Sequence, residues 1–239
     1  MSKLSKIIDE IIEVARKEKR TFLLEPESKK LIQELGITTT NFYVGTTADQ
    51  VKKIAEKIGF PVVMKIISPQ ILHKTDAGGV KLNLQTSEEV EIAYNEMMAK
   101  INQEFPDADI RGVLVEKMAK PSTEIIIGVT RDPTFGPAIM FGLGGIFVEL
   151  FKDVSFRIAP ITIQDAKDMI QEIQALPLLQ GFRGGPVVNL NLIIDTLKKV
   201  SKLSIEYQED ILEIDLNPIF AYEDSLLTVD ARIILTKKK

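Results

Sequence analysis

The one histidine of this 239-residue chain, His73, stands in the stretch SPQILHKTDAGGV between two apolar runs. A neutral imidazole nitrogen is available at cellular pH because the reference pKa of histidine is about 6.5, and histidine can form covalent intermediates. Gly78 and Gly79 give the loop backbone freedom, and Lys74 can offset the charge of a bound phosphate. On the residue types alone, an exposed loop histidine without a chemical role remains the alternative.

Two more stretches carry polar groups at strand-like positions. Lys65 lies within the apolar run PVVMKII, so its ammonium either reaches water or meets an anion. The stretch VEKM places Glu116 and Met118 where a carboxylate, backbone groups and a thioether could hold a purine and its ribose. An ordinary exposed strand end is the alternative interpretation of VEKM.

The third group of candidates is acidic. The runs EIDLNPI and TVDAR predict a hairpin with oxygen ligands on both strands. Mg²⁺ takes one or two protein oxygens and completes its octahedron with phosphate and water, so this arrangement suits it. A solvated acidic hairpin is the alternative. The residues concerned are Glu213, Asp215, Asn217 and Asp230.

The composition excludes several classes of protein. The formal charge of -4, without a basic stripe, argues against nucleic acid as a partner. The absence of cysteine and the single histidine exclude disulfides, thiolate metal sites and multi-histidine cages. No apolar run approaches the roughly 20 residues that cross a bilayer, and the beginning of the sequence does not resemble a signal peptide, so we expect no membrane association and a cytoplasmic location.

The elements that position these groups can be predicted from periodicity and caps. Apolar spacing predicts helices in SKIIDEIIEVARKEKR, in EPESKKLIQELGI, in TTADQVKKIAEKIGF and from Thr86 to Pro106. PVVMKII and VKLNL are predicted to pair as antiparallel strands whose connection carries His73. Thr47 with Gln50, and Thr86 with Glu89, have the spacing of capping boxes.

The second half of the chain is predicted to begin with strands. RGVLVEKM, TEIIIGV and GPAIMFGL suggest a three-stranded meander, followed by helices in TIQDAKDMIQEI and NLIIDTLKKVSKL. The segment LPLLQGFRGGP between those helices is too rich in glycine and proline for regular structure. We therefore predict an α+β fold of two lobes: N-terminal helices over residues 1–40 that pack on the larger lobe, a small lobe over 41–110 and a large lobe over 111–239.

A nucleotide would need an unusual cradle, because G-x-x-x-x-G-K-[ST] is absent and GLGG does not complete G-x-G-x-x-G. In this order, however, the motifs resemble the ATP-grasp fold, and more narrowly the nucleotide-binding (β) subunit of ADP-forming acetate–CoA ligases and related acyl-CoA synthetases. The resemblance covers nearly the whole chain, and succinyl-CoA synthetase β subunits are similar more distantly. It rests on ESKKLIQELGI, PVVMKIISPQILHKTDAGGVKLNL, VLVEKM, TEIIIGVTRDPTFGPAIMFGLGGIFVEL, FRIAPIT, GFRGGP and EIDLNPI.

The resemblance implies a role for each candidate residue. Lys65 matches a phosphate-contacting lysine, and Glu116 with Met118 matches the adenosine hinge between the lobes. Asn217 and Asp230 match metal ligands.

The remaining roles implied by the resemblance concern the reaction. Asp215 matches a catalytic carboxylate, and His73 the phosphoryl carrier. Glu124 and Arg131 belong to the active-site wall. The three glycines of the GLGG stretch would let backbone approach an incoming phosphorylated loop. These glycines are Gly142, Gly144 and Gly145.

The family reaction is acyl-CoA + ADP + phosphate ⇌ carboxylic acid + CoA + ATP, with Mg²⁺ and ATP or ADP as cofactors. The resemblance gives this chain only the ATP half, so a CoA-binding α subunit is expected, in a heterotetramer with two copies of each chain. Two alternatives stay open at this point. One is a succinate or other dicarboxylate–CoA ligase subunit, and the other is a non-catalytic nucleotide sensor that keeps the fold.

Overall fold

A computed structural model describes residues 3–71, 73–145 and 152–237 of the chain. The chain divides into two compact units. Met1–Thr39 and Pro121–Lys239 form the larger unit, and Thr40–Lys120 forms the smaller one. None of the described helices is long and apolar enough to cross a bilayer.

Two helices at the N-terminal end belong to the larger unit: α1 (Lys3–Lys17) and α2 (Glu25–Glu34). The predicted apolar face of α1 is buried through Ile8, Ile12 and Ala15, which join the core of that unit. α2 ends just before Gly36, whose φ of +70° is the left-handed conformation that glycine tolerates after a helix.

The smaller unit is an antiparallel sheet packed against two helices. Its strand order is β1-β4-β2-β3. Alternate residues of β2 face the helices, because Val62, Met64 and Ile66 share one apolar cluster with residues of both helices. Its elements are β1 (Phe42–Gly45), α3 (Ala48–Ile58), β2 (Val62–Ile67), β3 (Val80–Leu84), α4 (Ser87–Glu104) and β4 (Gly112–Lys117).

The position of β4 corrects the predicted lobe boundary and the predicted meander. β4 lies between β1 and β2 and is hydrogen-bonded to both, so it belongs to the smaller sheet and not to a meander with the strands that follow it. Its Val113 and Val115 complete the apolar cluster of the smaller unit. The boundary therefore falls at residues 120–121 and not at 110–111.

The rest of the larger unit is built on an antiparallel sheet of order β10-β8-β5-β6-β7, with β9 also paired to β8. The predicted C-terminal hairpin is present, but its second strand is divided into β9 and β10. The predicted irregular segment contains one helical turn, α6, and a short 3₁₀ turn at Phe182–Gly184. The elements are β5 (Thr123–Asp132), β6 (Gly136–Leu143), β7 (Val154–Ile158), α5 (Ile163–Glu172), α6 (Leu176–Leu179), α7 (Leu190–Glu206), β8 (Ile211–Ala221), β9 (Leu226–Thr228) and β10 (Ala231–Leu235).

The helix caps show how far local chemistry fixes the boundaries. The Thr47 hydroxyl accepts a hydrogen bond from the backbone N–H of Gln50, as predicted, but the Gln50 carboxamide accepts from Thr46 and not from Thr47. Thr162 and Asp165 make both bonds of a capping box at the start of α5. In both helices a threonine hydroxyl therefore caps the first turn. The reciprocal bond, from the side chain three residues later, reaches the backbone of the threonine itself only in α5.

Candidate functional site

Lys65 and Glu116 form a buried ion pair in the smaller unit. They lie on neighbouring strands, β2 and β4, where Val63 is opposite Glu116. The Lys65 Nζ is 2.8 Å from Glu116 Oε1, and the two side chains are only 8% and 1% exposed. The Thr40 hydroxyl donates a hydrogen bond to the other carboxylate oxygen, Glu116 Oε2. The sequence left two positions open for the Lys65 ammonium, in water or beside an anion. In the structure it lies beside the carboxylate of Glu116.

This arrangement bears on the predicted adenosine hinge. The Glu116 carboxylate is engaged by an ammonium and a hydroxyl of the same unit, so a contact between Glu116 and ribose stays a prediction. Met118 follows β4, is half-buried, and its backbone N–H donates to the carbonyl of Pro61 at 3.0 Å. This bond fixes the backbone directly after the strand that carries Glu116.

His73 lies on the connection between β2 and β3, as predicted, and it is exposed. Its carbonyl accepts from the N–H of Ala77 at 3.2 Å, and the Gly79 N–H donates to the Lys74 carbonyl at 2.7 Å, so the backbone after His73 makes a compact turn. A Cβ on Gly79 would be 2.4 Å from Ile66 Cγ2. Gly79 therefore serves close packing on β2, in addition to the predicted freedom of the loop.

An open cavity of about 360 Å³ adjoins His73 within the smaller unit. Its wall includes two carboxylates and an aromatic ring, from Asp76, Glu104 and Phe105. The imidazole is accessible from this side. The complete lining is Gln70, Ile71, His73, Asp76, Ala77, Glu104 and Phe105.

The acidic candidates gather on one face of the sheet in the larger unit. Asp215 and Asn217 alternate with core residues along β8, and Asp230 immediately precedes β10, whose Ala231 is opposite Leu216. Asp215 Oδ1 is buried and has no hydrogen-bond partner within the described part of the chain. Burial raises the pKa of the Asp215 carboxyl, Arg232 lowers it, and the charges of Asp230 and Glu213 add to the rise.

This donor set fits a hard divalent cation. A buried carboxylate oxygen without a partner is an unsatisfied acceptor, and nearby negative charges favour a cation. Among the described residues, no three acidic, histidine or cysteine side chains form an all-protein metal cage. Mg²⁺ does not require one, since it usually keeps several waters and binds one or two carboxylates together with phosphate.

Arg232 is a neighbour of this face that the sequence did not single out. It is directly opposite Asp215 in the pairing of β10 with β8. Its guanidinium lies 3.9 Å from Glu213 and 4.0 Å from Asp215, and the side chain is 61% exposed. Its place after Asp230 in TVDAR, two residues from a predicted ligand, was the available signal.

The structure does not bring Glu124 and Arg131 together. They stand near opposite ends of β5, and seven residues of extended strand separate them by about 23 Å. Arg131 pairs instead with the exposed Glu209 at 3.1 Å. Their assignment to the active-site wall stays a prediction, and the length of the strand means that they would line well-separated parts of it.

Glu124 does lie beside the glycine stretch. The Gly144 N–H donates to the Glu124 carbonyl at 2.8 Å, and an open cavity of about 310 Å³ is lined by both residues, by Gly145 and by Leu178. Gly145 has a φ of +59°, which favours glycine. The residues that follow in the motif, 146–151, lie outside the described residues.

Gly142 has a different reason to lack a side chain. A Cβ there would be 2.7 Å from the carbonyl oxygen of Asp153, just before the neighbouring strand β7. The close approach at Gly142 is therefore internal to this sheet. The expectation that the three glycines make room for an incoming loop stays a prediction, and for Gly142 this packing is a second reason to lack a side chain.

The chain matches known proteins over most of its length. The ATP-grasp domain family matches residues 14–235. The β subunit of acetate–CoA ligase [ADP-forming] I from Pyrococcus furiosus is 52% identical over 226 residues, which are 95% of this chain and 97% of that protein. Acetate–CoA ligase [ADP-forming] I from Archaeoglobus fulgidus is 41% identical over 98% of this chain, which corresponds to only 33% of that longer protein.

Comparison with solved structures leads to the same kind of protein. The dinucleotide-forming acetyl-coenzyme A synthetase 1 of Ca. Korarchaeum cryptofilum, in complex with coenzyme A and Ca-AMPCP, has a TM-score of 0.91 and 48% identity over 95% of this chain and 99% of that chain. In other structures of that protein the phosphohistidine segment is phosphorylated, or points towards the nucleotide site in the presence of Mg-AMPPCP. Family, sequence and structure thus lead to one conclusion: this chain is a member of the ATP-grasp family and belongs with the β subunits of ADP-forming acetate–CoA ligases.

Proposed function

We propose that this chain binds ADP or ATP with Mg²⁺ and passes a phosphoryl group between a CoA-binding partner and ADP, within the reaction acyl-CoA + ADP + phosphate ⇌ acid + CoA + ATP. One observation carries the proposal: the only histidine of the chain is exposed on the connection that follows β2, the strand of Lys65. A covalent carrier must be accessible to two sites, and the exposure of His73 meets that requirement.

His73 is the carrier in this proposal. A neutral imidazole nitrogen attacks the phosphorus of the donor, a P–N bond forms, and the bond from phosphorus to the donor oxygen breaks. In the second transfer, a terminal phosphate oxygen of ADP attacks the same phosphorus, the P–N bond breaks and ATP leaves, while the imidazole returns to its neutral form. The phosphohistidine segment of the Korarchaeum relative supports this assignment.

Lys65 contacts the nucleotide phosphates in this proposal, and the acidic face of the larger unit holds Mg²⁺ through Asn217 and Asp230, with Asp215 beside them. The unpartnered, buried Oδ1 of Asp215 and the negative charges around it support the metal site. Bound Mg²⁺ would neutralise phosphate charge, which is the main requirement of phosphoryl transfer. The Mg-AMPPCP complex of the relative is consistent with this use.

A separate CoA-binding α subunit completes the enzyme, in a heterotetramer with two copies of each chain. Two observations on relatives support a partner: the Pyrococcus protein is itself named as a β subunit, and the Archaeoglobus protein contains the matching region within a chain about three times as long. The family also favours this function over a succinate–CoA ligase subunit, since the succinate–CoA ligase β subunit from Ignicoccus hospitalis is only 28% identical to this chain.

The test is phosphorylation of the full chain by Mg-[γ-³²P]ATP. The expected product is acid-labile, base-stable phosphate that maps to His73 by mass spectrometry, and His73→Asn should carry none while still binding nucleotide. Thr75→Ala, at an exposed position in the same loop, is the matched control and should keep the label. If the wild-type chain binds Mg-ATP but incorporates no phosphate, it is a nucleotide sensor and the proposal fails.

A further inference from the structure

We propose that Thr40 is a positioning residue for nucleotide phosphate binding. Its hydroxyl orients the Glu116 carboxylate, and that carboxylate in turn holds the Lys65 ammonium. Thr40 thereby acts on the phosphates without touching them. The inference rests on the proposed function, because it gives Thr40 a part in the contact between Lys65 and nucleotide.

The backbone holds Thr40 at a fixed place beside β4. Phe42 of β1 is opposite Glu116, and the backbone N–H of Lys117 donates to the carbonyl of Asn41 at 3.3 Å. Thr40 is therefore carried next to Glu116 by strand pairing and is only 3% exposed. Its side chain also has little freedom, because a β-branched residue is stiff about χ1.

The two oxygens of the Glu116 carboxylate contact different groups. Lys65 Nζ approaches Oε1, whereas the Thr40 hydroxyl bonds Oε2. The terminal torsion of a glutamate is broad, so a carboxylate held at one oxygen alone could rotate. With both oxygens held, the rotation of the carboxylate is fixed and the ammonium has a defined position within its strand.

Burial strengthens the contacts that link Thr40, Glu116 and Lys65. Hydrogen bonds to a charged group in a buried site are stronger than neutral ones, and loss of one donor from a buried carboxylate is costly. Without the hydroxyl, Glu116 would compensate by drawing closer to Lys65 or by turning. Either response would displace the ammonium from the place where it meets phosphate.

The experiment measures Mg-ADP and adenosine binding to the full chain, because adenosine lacks the phosphates that Lys65 contacts. Thr40→Val keeps the branched shape and removes the hydroxyl, and Thr40→Ser keeps the hydroxyl. We expect Thr40→Val to raise the Kd for Mg-ADP about tenfold and to leave the Kd for adenosine within about twofold. Thr40→Ser should stay within about twofold of wild type for both.

A double-mutant cycle tests the route through Lys65. Lys65→Gln should itself weaken Mg-ADP binding, and adding Thr40→Val should then cause no further loss, since the two residues act through one interaction. Should Thr40→Val fail to fold, Thr40→Ala takes its place in each comparison.

Three results would overturn the inference. One is unchanged Mg-ADP binding by Thr40→Val, another is equal weakening of ADP and adenosine, and the third is a full additional loss in the Lys65→Gln background. If wild-type chain binds no Mg-ADP at all, the proposed function falls and this inference with it. Normal binding by wild type with no effect at Thr40 overturns only the inference.

Discussion

Replacing Asp215 with asparagine should stabilise the protein in the absence of metal and nucleotide. The Asp215 carboxylate carries a buried oxygen without a hydrogen-bond partner among the described residues, beside Glu213 and Asp230, which also carry negative charge. Asparagine keeps the shape and an acceptor oxygen but removes the charge, and burying a charged group without full compensation costs at least about 1–3 kcal/mol. Since the whole side chain is 36% exposed, solvent screens part of this cost, and we take the lower end, about 1 kcal/mol.

A stabilisation of this size produces a measurable shift in Tm. For a protein of this size, 1 kcal/mol changes Tm by about 2–4 °C, so Asp215→Asn should raise Tm by that amount near neutral pH. With saturating Mg-ADP the order should reverse, because the wild-type chain gains stability from the bound ligand and the variant gains less. Differential scanning calorimetry with and without Mg-ADP measures both effects. Glu223→Gln, at an exposed position in the turn after β8, is the matched control and should change stability by less than about 0.5 kcal/mol.

The pH dependence of stability tests the direction of the Asp215→Asn effect independently. The pKa of Asp215 is raised from its usual 3.8 in the folded state, so the folded protein holds this proton more tightly than the unfolded chain does. The stabilising contribution of the protonated carboxyl is therefore complete below about pH 3.8 and is lost as the pH rises through the folded pKa. The advantage of Asp215→Asn should be small in acid and reach its full size above that pKa. An equal or lower Tm for Asp215→Asn at neutral pH would refute the reasoning.

Two further predictions concern the loop and the partner. Gly79→Ala should destabilise the protein by about 1–3 kcal/mol in thermal unfolding because its Cβ would overlap Ile66, whereas Gly185→Ala, whose Cβ would have no neighbour closer than 3.4 Å, should stay within about 0.5 kcal/mol of wild type; equal Tm values for both variants would contradict the packing argument. The purified chain should make no acyl-CoA from acid, CoA and Mg-ATP, and adding the cognate CoA-binding subunit should give the complete reaction; synthesis by the purified chain alone would contradict the proposed division of labour.

Much of the fold could be predicted because its signals are local. Threonine caps and apolar periodicity located the long helices, and the short runs PVVMKII and VKLNL, bounded by turn residues, identified the strand pair whose connection carries His73. The lobe boundary could not be predicted in this way. Sequential strands usually pair, and that tendency favours a meander of β4 with β5, whereas β4 actually inserts between β1 and β2.

Some residues of the candidate site could likewise be predicted from the sequence, whereas others could not. Lys65 could be singled out because a charge within an apolar strand is conspicuous, and its partner Glu116 was also selected, although the ion pair between them was not foreseen. Thr40 is one of three consecutive threonines in GITTTNF, so only the pairing of β1 with β4 distinguishes it. Glu124 and Arg131 were grouped because their surroundings resemble one family, but the length of β5 separates them.

Transfer of phosphate from His73 to ADP is the central claim, and a single-turnover chase tests it most directly. The full chain is labelled with Mg-[γ-³²P]ATP, freed of nucleotide, and mixed with Mg-ADP. We predict that the label leaves His73 and appears stoichiometrically as [γ-³²P]ATP, and that omission of ADP leaves it on the protein. Label that stays on the chain after Mg-ADP is added, or that is released only as inorganic phosphate, would contradict the account.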